Sequence, residues 1–397
     1  MNIAINALQL PKEKTGVGQY LAGLLPALLD HAADHHFTTY AHAFNHDNFR
    51  ILRRNHSLKC WGPAIPSVGL RRLVEWARFP ATLRKDHIDL LFGVSNFLPL
   101  WRVCHYVVCI HDLSYLVQPE RVTRLRGLYW RRWTERTIAV ADMIVTDSQY
   151  SKRDILRYFD YPEEDVRVVY PGIAARFKPA ADRMEVRAVL EQYGAPQDYL
   201  LFVGTLEPGK NVHRLVEAFA QVRKAGFRDL WLVLVGKKGW KFDEVYRTLE
   251  RQKVRDWVKF PGYVPDDDLP AFYQGARLFC FPSLNEGFGL PLAEAMACGT
   301  PCLTSNVSSL PEIAGDAAAQ VDPYDSDAMA EAMIGLLRDG ERMETLRAKG
   351  PGKVARCSWE RTARGLFEVF KEVVARPPRV GSRGRRRAVP LPIERLD

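Results

Sequence analysis

The feature that most constrains this chain is an alternation of short apolar runs with amphipathic stretches, which is interrupted once and then restarts. Strands alternating with helices predict parallel sheets covered by helices on both faces. The first series predicts strands over 1–7, 37–44, 89–92, 106–111, 143–146 and 166–169, with helices over 16–30, 124–140 and 148–158. The second predicts strands over 199–203, 231–235, 258–260, 278–281 and 301–304, with helices over 212–224, 242–252, 269–276 and 291–298. Helices over 325–337 and 359–375 close the pattern. The expected fold class is α/β: two doubly wound, Rossmann-like domains, 1–175 and 176–358, facing each other across a cleft. Ligands of such sheets bind beyond the carboxyl ends of the strands, so that cleft is the expected site.

Composition narrows the function classes. At 397 residues, 47% hydrophobic and 26% charged, the chain reads as an ordinary globular protein of two or three domains. The apolar run 21–29 is far short of the roughly 20 residues a spanning helix needs, and the first residues do not read as a secretory leader. Seven cysteines, an odd number with no zinc-ribbon or C-x-x-C spacing, are expected to be reduced, buried thiols in a cytoplasmic protein. The net charge of +9 is uneven: residues 1–170 hold 22 Lys/Arg against 17 Asp/Glu, and 376–397 hold seven Arg against two acids. That Pro/Gly/Arg-rich tail has little to bury and is expected to be disordered. It reads either as a tether to an anionic surface or as a solvated end without a role.

Three segments could carry chemistry. Thr15-Gly16-Val17-Gly18-Gln19-Tyr20 follows the first strand and opens the first helix, where glycine allows close approach and a helix start favours an anion. Leu21 stands where a dinucleotide fingerprint needs its third glycine. Gly204-Thr205-Leu206-Glu207-Pro208-Gly209-Lys210-Asn211 follows the first strand of the second series, and its Lys210 could face a phosphate. It lacks the P-loop pattern. The sharpest is Ser283–Gly299, where a buried strand runs into a glycine-bracketed loop and then a helix with Pro291 in its first turn. Glu286 lies in that loop, and Glu294 about one helical turn in from Leu290. Two carboxylates there can hold the hydroxyls of a polyol. His111-Asp112 ends another buried strand, whose end faces the cleft, but on the residues alone it reads first as a satisfied histidine near the surface. Asp266-Asp267-Asp268 precedes a helix and is expected to cap it and not to bind metal.

These residues resemble glycosyltransferase family 4, retaining enzymes of the GT-B fold. The most specific features are Glu286 and Glu294 with seven residues between them, then Ser308–Ala317 and Ser358-Trp359-Glu360. Val203–Pro208 with Lys210-Asn211 is similar to a branch of mannosyl- and rhamnosyltransferases. The resemblance implies a final helix, 359–375, packed back on the N-terminal, acceptor-binding domain, and a nucleotide-sugar-binding C-terminal domain. It implies that Glu286 contacts the donor sugar, Glu294 the ribose, and Phe288, Gly289 and Leu290 offer backbone amides. Lys210 would neutralise the leaving diphosphate, with Thr205 in the same loop. Gly16 would let the first loop approach that group, His111 would sit beside the transferring sugar, and Gly262 to Val264 would line the base pocket. The family often carries an arginine at the position of Thr205 or Gly209, and here neither is basic. A lost charge-assisted clamp is worth about 1.5–3 kcal/mol. Lys237, Lys238 or Lys241 could replace it. Thr15 stands where many members have glycine.

The expected function is transfer of a hexose, first guess mannose from GDP-mannose, to a glycan or lipid-linked acceptor in cell-surface polysaccharide or glycolipid synthesis, without metal or cofactor. Alternatives are a nucleotide-binding relative without transferase activity and a nucleotide-sugar epimerase of the same fold. Nucleic acid is not an expected partner, because aromatic and basic residues do not interleave in an RNA-binding pattern. Residues 70–85 and 124–136 mix arginines with Leu70, Leu73, Val74, Trp76 and Phe79, and with Leu128, Tyr129, Trp130 and Trp133. They are expected to meet an anionic membrane surface on its cytoplasmic side.

Overall fold

A computed structural model describes residues 1–12, 16–62, 68–119, 122–240 and 242–377. Thr15, Lys241 and the tail beyond residue 377 lie outside the described residues. The chain divides into two compact units, one of residues 1–172 together with 357–377, the other Ile173–Arg356.

The first unit is built from β1 (Asn2–Asn6), α1 (Gly16–His31), β2 (His36–Ala41), β3 (His56–Cys60), α2 (Val68–Lys85), β4 (Leu90–Gly93), β5 (His105–Cys109), α3 (Ser114–Val117), α4 (Arg124–Val140), β6 (Met143–Thr146), α5 (Gln149–Tyr158) and β7 (Val166–Val168). Its strands form one parallel sheet in the order β3-β2-β1-β4-β5-β6-β7. Central strands are largely apolar because both faces are covered. Ile3, Ile5, Phe92 and Val107 pack toward Leu21, Leu24 and Leu28 of α1. Their neighbours Ala4, Leu91, Tyr106 and Val108 pack toward Phe79, Leu83, Ile138 and Ile155 of α2, α4 and α5.

The second unit contains α6 (Arg183–Gln192), β8 (Tyr199–Val203), α7 (Val212–Lys224), β9 (Trp231–Val235), α8 (Asp243–Gln252), β10 (Val258–Gly262), α9 (Leu269–Gly275), β11 (Leu278–Phe281), α10 (Leu290–Ala297), β12 (Cys302–Ser305), α11 (Leu310–Ala314), β13 (Ala319–Val321), α12 (Ser326–Arg338) and α13 (Gly340–Val354). Its parallel sheet runs β10-β9-β8-β11-β12-β13. Both expected doubly wound sheets are therefore present. The elements that the alternation did not predict are β3, α2, α3, α6, α11, β13 and α13. The two strands are short edge strands, with polar residues that a central strand does not tolerate. The helix α13 contains Gly350, Pro351 and Gly352, which read as a break.

The chain then returns to the first unit as α14 (Trp359–Val374). Ser358 caps it, its hydroxyl accepting from Arg361 N at 3.4 Å. Ala363, Leu366, Phe370 and Val373 join the α1 side of the core, and the Phe370 ring lies 5.4 Å from that of Phe92. The expected tail began at Arg376, but that residue is part of the folded unit. Its guanidinium donates to Asp165 at 2.6 Å and to Glu372 at 2.7 Å. The reason is the buried Asp165, which needs a cation that the sequence pattern does not reveal. All seven cysteines are free thiols, and all but Cys60 are buried. Phe370→Ala should cost about 3–5 kcal/mol. Urea unfolding followed by a probe in the first unit should show its midpoint fall, and an unchanged midpoint would mean that α14 is not part of that core.

Candidate active site

In the second unit the loops after β8, β11 and β13 are tied at the carboxyl edge of the sheet by one side chain. Asn211, fully buried, starts α7 with a left-handed backbone (φ +60°). Its Nδ2 donates to Pro282 O at 3.1 Å and to Pro323 O at 2.6 Å. Its Oδ1 accepts from Arg214 Nη1 at 2.9 Å. Leu284 N donates to Gly209 O at 2.9 Å, adding a backbone tie between two of the loops. Lys210, next in sequence, is thereby held so that its Nζ donates to Glu286 Oε1 at 2.5 Å and lies 5.6 Å from the centroid of the Phe281 ring. The two side chains are 20% and 13% exposed, so the ion pair is largely out of water.

The Glu286 loop is held from the other side by the segment before α11. Glu286 N donates to Ser308 Oγ at 3.2 Å, and Ser309 Oγ donates to Glu286 O and Phe288 O at 2.9 Å. Ser308 and Ser309 have no role in the sequence reading beyond family likeness. Gly289 enters α10 at φ +99°, and a Cβ there would stand 2.7 Å from Leu310 Cδ2. Only glycine fits both demands. It sets Leu290 and Pro291 as the first residues of α10, with the positive end of the helix at the Glu286 loop.

Glu294, on α10, accepts from Tyr273 Oη at 3.0 Å, and the Tyr273 carbonyl accepts from Thr300 Oγ1 at 2.7 Å. Burial pushes the Glu294 carboxyl up to about 7, against the opposing pull of the Tyr273 hydroxyl and the Arg176 charge. Tyr273 and Arg176 are site residues that sequence reasoning missed, because the tyrosine reads as a core aromatic of α9 and the arginine as loop surface. A carboxyl raised from an ordinary value of 4.5 stabilises the fold fully below about pH 4.5 and loses that contribution as pH rises to about 7. Glu294→Gln should therefore gain in melting temperature relative to the parent as pH is raised from 5 to 8. A difference that stays constant over that range would contradict the buried carboxyl.

The remaining candidates fall into place singly. Gly262 O accepts from Gly236 N at 2.8 Å, and Val264 is buried. Gly236 (φ +140°) touches the Lys210 loop so closely that a Cβ would stand 2.0 Å from Gly204 O. Thr205 is exposed. The segment 237–239 runs beside that loop, with Leu206 N donating to Lys237 O and Gly239 N to Leu206 O. The Lys238 ammonium lies over Phe242 and Tyr246, and that of Lys237 lies 5.3 Å from the centroid of the Tyr263 ring. Asp268, at the start of α9, does not cap it by a side-chain hydrogen bond. Asp268 accepts from Tyr193 Oη at 2.5 Å and Asp266 faces Arg176 at 3.7 Å, because both carboxylates find stronger partners than the helix amides. A 560 Å³ depression lined by Arg183, Arg187, Arg277 and Arg347 lies at the opposite, amino-terminal edge of the sheet, before β8, β11 and β12.

In the first unit, Gly16 opens α1 with nothing within 4 Å of where a Cβ would stand. One turn later Tyr20 meets the His111 ring edge-on, centroids 4.9 Å apart. His111 follows β5 at the carboxyl edge. Its Nδ1 is 2.6 Å from Asp147 Oδ2 and its Nε2 is 2.9 Å from Val94 O. Cys109, His111 and Asp147 are the one group among the described residues whose ligand atoms cluster closely enough to hold a metal ion. Two ligands on a tetrahedral ion with bonds of about 2.0 Å stand about 3.3 Å apart. The 2.6 Å contact is therefore a hydrogen bond.

Two parallel doubly wound sheets with such loops define a GT-B glycosyltransferase. Sucrose-phosphate synthase from Thermosynechococcus elongatus superimposes with a TM-score of 0.77 at 21% identity, over 94% of this chain and 99% of that one. HepE of Anabaena in complex with UDP-glucose gives 0.74 at 18%, over 94% and 100%. At these identities the likeness concerns the fold. Residues 14–177 match the model of Glycosyltransferase Family 4, and residues 189–353 that of Glycosyl transferases group 1. O-antigen chain mannosyltransferase B of Escherichia coli is 34% identical over 288 residues, which are 72% of this chain and 75% of that protein. Serotype-specific mannosyltransferase WbdA of the same organism is 26% identical over 406 residues, and the chain spans about half of its length (48%). The chain belongs to glycosyltransferase family 4.

Proposed function

We propose that this glycosyltransferase moves a mannosyl unit from GDP-mannose, with retention and without a metal ion, to a glycan or lipid-linked acceptor of a cell-surface polysaccharide or glycolipid. The observation that carries the reading is the Lys210–Glu286 ion pair at the carboxyl edge of the second sheet, with Glu294 on the helix that follows. In this reading Glu286 holds donor-sugar hydroxyls and Glu294 the ribose. The Lys210 ammonium and the start of α10 offset the charge that grows on the departing diphosphate. The bond from the anomeric carbon to the diphosphate breaks and the acceptor oxygen bonds that carbon on the same face, while a departing phosphate oxygen takes the acceptor's proton, which gives retention without a protein nucleophile. The likeness to proteins named as mannosyltransferases supports mannose as the sugar in this reading.

The reading predicts that GDP raises the melting temperature more than UDP, ADP or dTDP, since a ligand at 100 times its Kd adds about 2.7 kcal/mol. Donor hydrolysis without acceptor should be lost in Glu286→Ala. A shift by UDP alone would replace the donor assignment. Conversion of the donor sugar with no transfer would make the chain an epimerase.

The acceptor side is read from α2 and α4. Leu70, Leu73, Leu125, Leu128 and Tyr129 are exposed, while Phe79 and Trp133 belong to the interior. Arg72 joins the helices by donating to Tyr129 Oη. Together the two helices carry ten Lys/Arg against Glu75 and Glu135. Apolar side chains among cations suit an anionic lipid surface on the cytoplasmic face, and among the described residues no helix is long and apolar enough to cross a membrane. The protein should co-sediment with vesicles containing anionic lipid and be released by high salt. Equal binding to neutral vesicles would exclude this role.

A further inference from the structure

The first unit holds a buried charged contact to which the reading above assigns no chemistry. Both ring nitrogens of His111 face oxygen acceptors, Asp147 Oδ2 at 2.6 Å and the carbonyl of Val94 at 2.9 Å. A carbonyl carries no proton, and neither does an ionised carboxylate, so each nitrogen must supply its own hydrogen. Neutral imidazole has one N–H, and only imidazolium has two. Leaving the proton on Asp147 would place it on the weaker base, since ordinary carboxyls titrate near 3.9 and imidazoles near 6.5.

The surroundings agree. The His111 and Asp147 side chains are 16% and 7% exposed, which limits competition from water. The neighbouring titratable groups are Tyr20 from α1, whose ring meets His111 edge-on, and Cys109 from β5. The Cys109 Sγ lies 3.7 Å from Nδ1 and 3.9 Å from Asp147 Oδ1. Burial pushes the Cys109 thiol and the Tyr20 hydroxyl up, so both stay neutral. From α5, Ser151 Oγ donates to His111 O at 3.1 Å and fixes the backbone.

We infer that Asp147 is a positioning residue that keeps His111 as an imidazolium in one ring orientation, so that His111 presents a fixed positive charge at the carboxyl edge of the first sheet and not a proton acceptor. Burial by itself would lower the imidazole, but the Asp147 carboxylate outweighs it and holds His111 well above its ordinary value. With no lone pair to offer, His111 cannot act as a proton acceptor. The kinetic half of the inference rests on the function proposed above, whereas the charge state does not.

The test uses the full-length protein labelled with 15N-histidine, with His111→Asn to assign the resonance. At pH 7.5 both His111 nitrogens should show protonated shifts. In Asp147→Asn the ring should be neutral at that pH, with its midpoint below 6.5. One bare nitrogen in the parent protein would overturn the inference. So would a metal-type shift of Nδ1 on adding one equivalent of zinc. In transfer assays Asp147→Asn should lower kcat about ten- to a hundredfold with the donor KM little changed, as expected for a misplaced site group. Asp147→Glu should recover part of that loss. Unchanged kcat in Asp147→Asn would remove the positioning role. If Asp147→Asn fails to fold, the parent spectrum still decides the charge. If the parent turns over no nucleotide sugar, the function proposal fails while the spectrum still tests this one.

Discussion

The second unit depends on the carboxamide of Asn211. A sheet of parallel strands delivers its loops to one edge but does not fix them there, because loop backbone has no ladder to join. Asn211 supplies what the ladder cannot: two donors for the carbonyls of Pro282 and Pro323, on loops far apart in sequence. Those carbonyls are buried against a side chain that water does not reach, so their satisfaction is obligatory and the three loops hold one geometry. The Lys210 ammonium meets the Glu286 carboxylate because the residue beside it is fastened this way.

A consequence is that the charges of the candidate site are already paired before any donor arrives. Lys210 and Glu286 neutralise each other, and Glu294 sits in a setting that favours its neutral form. A nucleotide diphosphate sugar would bring an anion for the lysine and hydroxyls for the carboxylates, which exchanges one set of charge-assisted contacts for another. The first unit follows the same economy of charge, with His111 matched by Asp147 and Arg376 by the buried Asp165. In each case a buried ionic group is kept with its partner, as the cost of an isolated buried charge requires.

Much of this was legible in the chain. Strands such as β8, β9 and β11 fall within the expected bounds because each is an unbroken apolar run, as coverage on both faces favours. Lys210, Glu286 and Glu294 stood out because they sit in loops or on a helix that directly follow such strands. The edge strands β3 and β13 were not legible, since an edge tolerates the Lys and Gln that are absent from the central strands. Tyr273, Ser309, Arg176 and Asp147 were not legible either. Each acts through a partner 21 or more residues away, and nothing local to it marks the contact.

Sequence alone therefore determined the two doubly wound sheets, the loops that carry polar chemistry and the family to which they belong. Periodicity and residue type are local properties and survive in one dimension. The tertiary structure alone decided which side chains meet. The ties of Asn211 and the double acceptor field around His111 join segments distant along the chain. Hydrogen bonds and burial act through space, and the order of residues does not record the distances they require.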